Sequence, residues 1–119
     1  MSSSADWQRC APYIEAALKH AHGSHTLADV WRLVDAGDAQ FWAFDDAAIV
    51  TEIIRYPQRT TLRFWLAGGN LDTLAKAEKP LMDWSKQFDC TSVEIVGRRG
   101  WVRALDGYEA TATIMVKDF

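Results

Sequence analysis

Three stretches of this 119-residue chain carry side chains whose types and spacing could do chemistry. The first is Gly97-Arg98-Arg99-Gly100-Trp101-Val102-Arg103. Its guanidinium forks suit phosphate or carboxylate, and its indole offers a flat face for stacking. The same residues read structurally if Gly100 eases a turn, Trp101 packs in the core and the arginines are solvated. The second is Ala67-Gly68-Gly69-Asn70, just ahead of a helical pattern. Free amides there could hold an anion, or the stretch is a plain strand-to-helix turn closed by an Asn cap. The third is Glu52, set in an apolar run. Apolar flanks could make it a base, and its place in a strand could equally make it the cross-strand partner of Arg63.

Two other chemistries find less support. His20, His22 and His25 with Cys10 offer groups that zinc takes. Their spacing straddles a helix end, and His20 and His22 do not share a helical face, so the reading is a polar loop and no metal site. Neither cysteine sits beside a base and no Gly-x-Ser-x-Gly occurs, which argues against nucleophilic catalysis.

The elements that must position these residues follow from periodicity. Trp7, Cys10, Ile14, Ala17, Leu18 and Ala21 have helical spacing, with Pro12 expected near the first turn and Gly23 at the end. A second helix starts at Thr26, with Asp29 three residues on as a near capping box, and stops at Gly37. The period then changes to that of strands, over 40–44, 47–55 and 61–67. Alternation puts Val50, Glu52 and Ile54 on one face of the second strand, and Ile49, Thr51 and Ile53 on the other. The three strands form an antiparallel meander.

A long helical pattern follows, through Leu71, Leu74, Leu81, Met82 and Phe88, capped by Asn70 or Asp72. Pro80 inside it predicts a kink or a break. A helix of that length returns the chain so that 92–96 runs parallel to 61–67 by a right-handed crossover. A short helix over 97–105 and a last strand over 108–116 complete the reading. The expected architecture is one α+β domain: residues 1–25 as a tail and helix packed on a 26–119 unit with a mixed sheet.

Composition is that of a soluble globular domain, 49% apolar and 24% charged. A net charge of −3 and a pI near 5.5 give no strong nucleic-acid signal and argue against an anionic membrane surface. Six tryptophans are many for this length, which suggests that some cover a surface that meets a partner. Two cysteines are too few for a disulfide framework, so free thiols in a reducing compartment are expected. With no apolar leader and no membrane-length apolar run, the expected location is the cytoplasm. Oligomeric state stays open.

The order helix, helix, meander, long helix, strand, short helix, strand resembles the GNAT (N-acetyltransferase) superfamily over residues 26–119. That resemblance implies an acyl-CoA, such as acetyl-CoA, held at the Ala67, Gly68, Gly69 and Asn70 loop. It also implies Glu52 as the base, with amides near Leu66 and Ala67 on the thioester oxygen. The chain departs from the family pattern twice. The loop is short and lacks the leading Arg or Gln. Ala104 stands three residues before Gly107-Tyr108, where the family has its general-acid tyrosine.

More closely, the chain resembles small GNAT-like proteins of phages and prophages. The segments that carry this likeness are Phe41-Trp42-Ala43, Val50-Thr51-Glu52-Ile53, Ala67-Gly68-Gly69, the stretch from Glu78 to Cys90, Gly97 to Trp101, and Leu105-Asp106-Gly107-Tyr108. This implies a non-catalytic or catalytically altered binding module, in the host cytoplasm or the virion, with a phage structural or host protein as partner. Its binding surface would be Arg98, Arg99, Trp101, Arg103 and Tyr108. An active N-acyltransferase is the alternative.

Overall fold

A sheet hydrophobic on both faces needs cover on both, and this chain supplies it from helices before and after its three-strand meander. The computed structural model describes residues 4–97 and 105–119. Its elements are α1 (Ser4–Leu18), α2 (Leu27–Asp35), β1 (Gln40–Ala43), β2 (Ala47–Arg55), β3 (Thr60–Gly69), α3 (Leu71–Ser85), a 3₁₀ turn (Lys86–Phe88) and β4 (Ser92–Ile95). The sheet order is β1-β2-β3-β4. The first three strands pair antiparallel, and β4 runs parallel to β3 from Thr61↔Ser92 to Phe64↔Ile95. The crossover through α3 is therefore as the sequence predicts.

The alternation along β2 sorts the core into two. Ala48 and Val50 join Trp7, Cys10, Ile14 and Val30 beneath α1 and α2. Ala47 and Ile49 join Leu62, Phe64, Leu74, Ala77 and Leu81 beneath α3. Among the six tryptophans, five lie in described residues, and none of those five is an exposed surface residue. Trp7 lies tilted against Trp31 at 5.0 Å and meets Phe41 edge-on, while Trp42 meets Trp84 edge-on at 4.8 Å. These four indoles pack in or against the two cores.

One register shift interrupts the sheet. Val50 pairs with Leu66 but Thr51 pairs with Phe64, leaving Trp65 without a partner on β2. An extra residue of this kind bends its strand and increases the local twist. Beside it, the buried Thr51 hydroxyl accepts the Trp42 indole N–H at 2.9 Å and donates to Gln40 Oε1 at 2.9 Å.

Three sequence expectations need correction, and a fourth lies outside the described residues. The first helix begins at Ser4, so Pro12 lies mid-helix. Its ring is on the exposed side, where water can satisfy the carbonyl that it leaves unbonded. Pro80 is likewise exposed, and α3 continues through it unbroken to Ser85. The strand expected over 108–116 is absent: that chain joins no ladder. The helix expected over 97–105 falls mostly on residues 98–104, outside the described ones. No helix among the described residues is long and apolar enough to cross a membrane.

The capping box at α2 forms as read. Asp29 N–H donates to Thr26 Oγ1 at 3.2 Å, and the Asp29 carboxylate accepts the Thr26 amide at 2.9 Å. The Thr26 amide first, then the Thr26 hydroxyl side chain, holds the Asp29 carboxyl below its ordinary 3.8. A lowered folded-state value adds stability above the unfolded value and loses it as pH falls through the folded one. Asp29→Ala should therefore lower Tm at pH 7, with a gap from the parent that narrows below about pH 4. Calorimetry at pH 7 and pH 3 checks this; an equal gap at both would show that the carboxylate charge contributes nothing.

Candidate functional site

β3 is much longer than β4, and the two part company where the extra residue sits. Among the described residues, the last link between them is the Val96 amide donating to the Phe64 carbonyl at 3.1 Å. Beyond it β3 runs on through Trp65, Leu66 and Ala67, while β4 has ended at Ile95. A cleft of about 80 Å³ opens between the diverging strands. Trp65, Leu66 and Ala67 form one wall, and Ile95, Val96 and Gly97 the other. Leu74 and Glu78 of α3, with Ala17 and His20 near the end of α1, also line it, as do Ile49, Phe64 and Leu105. A largely apolar depression with a few convergent polar groups is the usual form of a small-ligand or side-chain site.

Glu78 is the polar group best placed there. It sits one helical turn after Leu74 and ahead of Leu81, on the stripe that α3 turns to the sheet. The buried Tyr108 hydroxyl faces the Glu78 carboxylate without closing a hydrogen bond of ordinary geometry. Burial, and secondarily that carboxylate, push the phenol far above its ordinary value, so Tyr108 is neutral at any physiological pH.

The residues singled out in the sequence are dispersed. Ala67 lies in the cleft wall. Glu52 does not line the cleft; it meets Arg63 Nη1 at 3.6 Å, as the cross-strand alternative had it. Arg63 also donates through Nε to Glu94 at 2.7 Å, and the Tyr56 hydroxyl donates to the same carboxylate at 2.9 Å. Tyr108 is near the cleft through Glu78. Arg98, Arg99, Trp101 and Arg103 lie outside the described residues, but Gly97 and Leu105, on either side of that segment, both line the cleft.

Gly68, Gly69 and Asn70 are engaged inside the chain. A Cβ on Gly68 would run into the Tyr13 carbonyl of α1, and Gly69 sits at φ +107° with the same conflict against the Asp46 carbonyl. The Asn70 carboxamide oxygen accepts the Asp72 and Thr73 amides at 2.9 and 3.2 Å. Asp72 stands in the first turn, and Asp46 accepts the Thr73 hydroxyl at 2.7 Å. Two α3 amides are spent, and two carboxylates surround that helix start. This donor set does not fit a pyrophosphate, which needs free amides and no competing negative charge.

The histidines also separate. His22 Nε2 lies 3.1 Å from Asp118, His25 Nδ1 lies 2.7 Å from Ser24 Oγ with its ring edge-on to Trp65, and His20 lines the cleft. Cys10 is buried with its Sγ toward the Phe44 carbonyl, and burial pushes its thiol up. Among the described residues, no three potential ligands converge.

Sequence reasoning missed Glu78 as a site residue, and read His20 only as a candidate metal ligand. Glu78 was detectable as a carboxylate on an otherwise apolar helical stripe. His20 had no such signal, because only the docking of α1 brings it to the cleft.

Solved structures place the whole arrangement. A wild-type protein of Thermus thermophilus, TTHA1254, superposes with a TM-score of 0.62 at 9% identity, covering 99% of this chain and 93% of that one. A possible acetyltransferase from Clostridium difficile gives 0.52 at 12% identity, over 99% and 94%. The fold is GNAT-like. No protein-family model and no curated protein matches the sequence. In this GNAT-like frame the cleft falls where the two parallel strands diverge, and α3 starts at the far end of β3.

Proposed function

We propose that this GNAT-like chain is a binding module that takes an apolar side chain of a partner protein into the cleft between β3 and β4. The observation that carries the reading is the contrast between two neighbouring places. The cleft is open and mainly apolar, while the turn that would have to hold a nucleotide phosphate has its amides spent and two carboxylates beside it. Arg98, Arg99, Trp101 and Arg103 are the residues proposed to contact that partner. Arg and Trp are the residue types that most often anchor such contacts. The likeness to prophage-encoded proteins supports a phage structural or host protein as that partner, met in the host cytoplasm or the virion.

The alternative, an acyl-CoA-dependent N-acyltransferase, is favoured by one observation: the diverging parallel strands could admit a thioester chain. Thermal melts separate the two. A cofactor at 100 times its Kd stabilises by about 2.7 kcal/mol through mass action, several degrees in Tm. Millimolar acetyl-CoA, propionyl-CoA and CoA should leave Tm unchanged. Arg98→Ala and Trp101→Ala should melt within a degree or two of the parent. A clear shift with any of the three would replace the binding reading with the acyltransferase, and unfolding of both variants would make the Arg-Trp segment structural.

A further inference from the structure

The arginines among the described residues divide by whether a carboxylate meets them. Arg9 pairs with Asp6 at 3.7 Å, Arg32 with Asp29 at 3.0 Å, and Arg63 with Glu94 at 2.7 Å and Glu52 at 3.6 Å. Arg55 and Arg59 form no ion pair among the described residues. Residues 1–3 and 98–104 contain no Asp or Glu, so they cannot supply the missing carboxylate either. The chain carries 16 acidic side chains against 13 Lys and Arg, yet it leaves these two guanidiniums unneutralised. Both stand on the exposed turn 55–59 that joins β2 to β3.

The turn holds them in place. The Tyr56 amide donates to the Arg59 carbonyl at 2.8 Å, and the Tyr56 hydroxyl donates to Glu94 at 2.9 Å. Arg59 lies over the anchored Tyr56 ring, 5.6 Å from its centroid. Arg55 donates through Nη1 to the Phe88 carbonyl at 3.4 Å, in the 3₁₀ turn after α3. Contacts with a ring and a carbonyl orient a guanidinium without cancelling its charge. Glu52 and Glu94 are held by Arg63, and Asp89, next to Phe88, forms no ion pair with Arg55. Arg55 therefore faces the α3 side of the sheet, whereas Arg59 and Tyr56 face the Glu94 side. Charges on opposite sides of a turn suit an extended chain with spaced carboxylates better than one compact anion. A net charge of −3 repels a nucleic acid approaching from a distance. We propose that the turn 55–59 is a contact surface for an extended acidic segment of a partner protein, whose carboxylates meet Arg55 on one side and Arg59 on the other. The cleft opens at the other end of β3, so this contact does not depend on what the cleft takes.

Fluorescence anisotropy with a labelled oligo-glutamate peptide at low ionic strength tests this. The peptide should bind the parent chain. Arg55→Gln and Arg59→Gln should each weaken binding about tenfold, as the loss of one charge-assisted contact does. Arg32→Gln removes the same charge elsewhere and should leave binding unchanged. Amide resonances of 55–60 should shift on adding peptide, and those of 65–67 and 95–97 should not. That shift map, read on the unaltered chain, decides the matter if a variant fails to fold. A parent that does not bind, equal weakening by Arg32→Gln, or shifts centred on the cleft would each overturn the proposal. So would tighter binding of oligothymidylate through the same two arginines, which would make the occupant a nucleic acid.

Discussion

Gly68→Ala should cost this protein about 3 kcal/mol, at the upper end of the range for overpacking. In a chain of this size that lowers Tm by roughly 10 °C. The new methyl would be driven into the Tyr13 carbonyl, with the carbonyl carbon 2.9 Å away. Tyr13 lies in the middle of α1, so the obstacle is helix backbone rather than the movable end of a side chain. Relief requires shifting α1 off β3, which would also disturb the packing of Cys10 and Ile14. A urea melt measures the loss. A change below about 0.5 kcal/mol, ordinary for a surface site, would mean that α1 does not rest on β3 at this point.

Ile14→Ala should remove about 2–5 kcal/mol, the usual range for this truncation in a core. Ile14 is fully buried and belongs to the core that joins α1 and α2 to β1, β2 and β3. A domain with a total stability of about 5–15 kcal/mol would lose a large part of it. The slope of the denaturant transition should stay the same, because the whole chain still unfolds together. A loss under 1 kcal/mol, or a separate early transition, would make the first helix an appendage of a core that stands without it.

These two sites also show what a reader of the sequence can and cannot see. Ile14 was legible, because its spacing from Trp7 and Cys10 marks one face of a helix. The meander and the parallel return of β4 were legible for a similar reason: the periods are local, and the length of the intervening helix restricts the topology. Gly68 was visible only as half of a Gly-Gly pair, equally suited to an anion or to a turn. What distinguishes them is the carbonyl of Tyr13, fifty-five residues away by sequence number, and no local pattern encodes that contact.

The cleft was partly hidden for the same reason. Ala67 is in its wall as anticipated, whereas His20 arrives through the docking of α1 and Glu78 through the crossover. The C-terminal segment shows the opposite failure. Residues 108–116 alternate well enough to be a strand, but a strand is a property of a pair, and alternation cannot supply the partner.

The unpaired Trp65 has a consequence for how such a chain could change. Strand residues advance about 3.3 Å each, so shifting that one supernumerary residue along β3 would slide the mouth of the opening by steps of that size. It would also exchange which side chains stand at its lip, and leave the helices on either side in place. A single insertion or deletion in this strand therefore works as a coarse dial on what the opening admits, independent of any substitution in its walls.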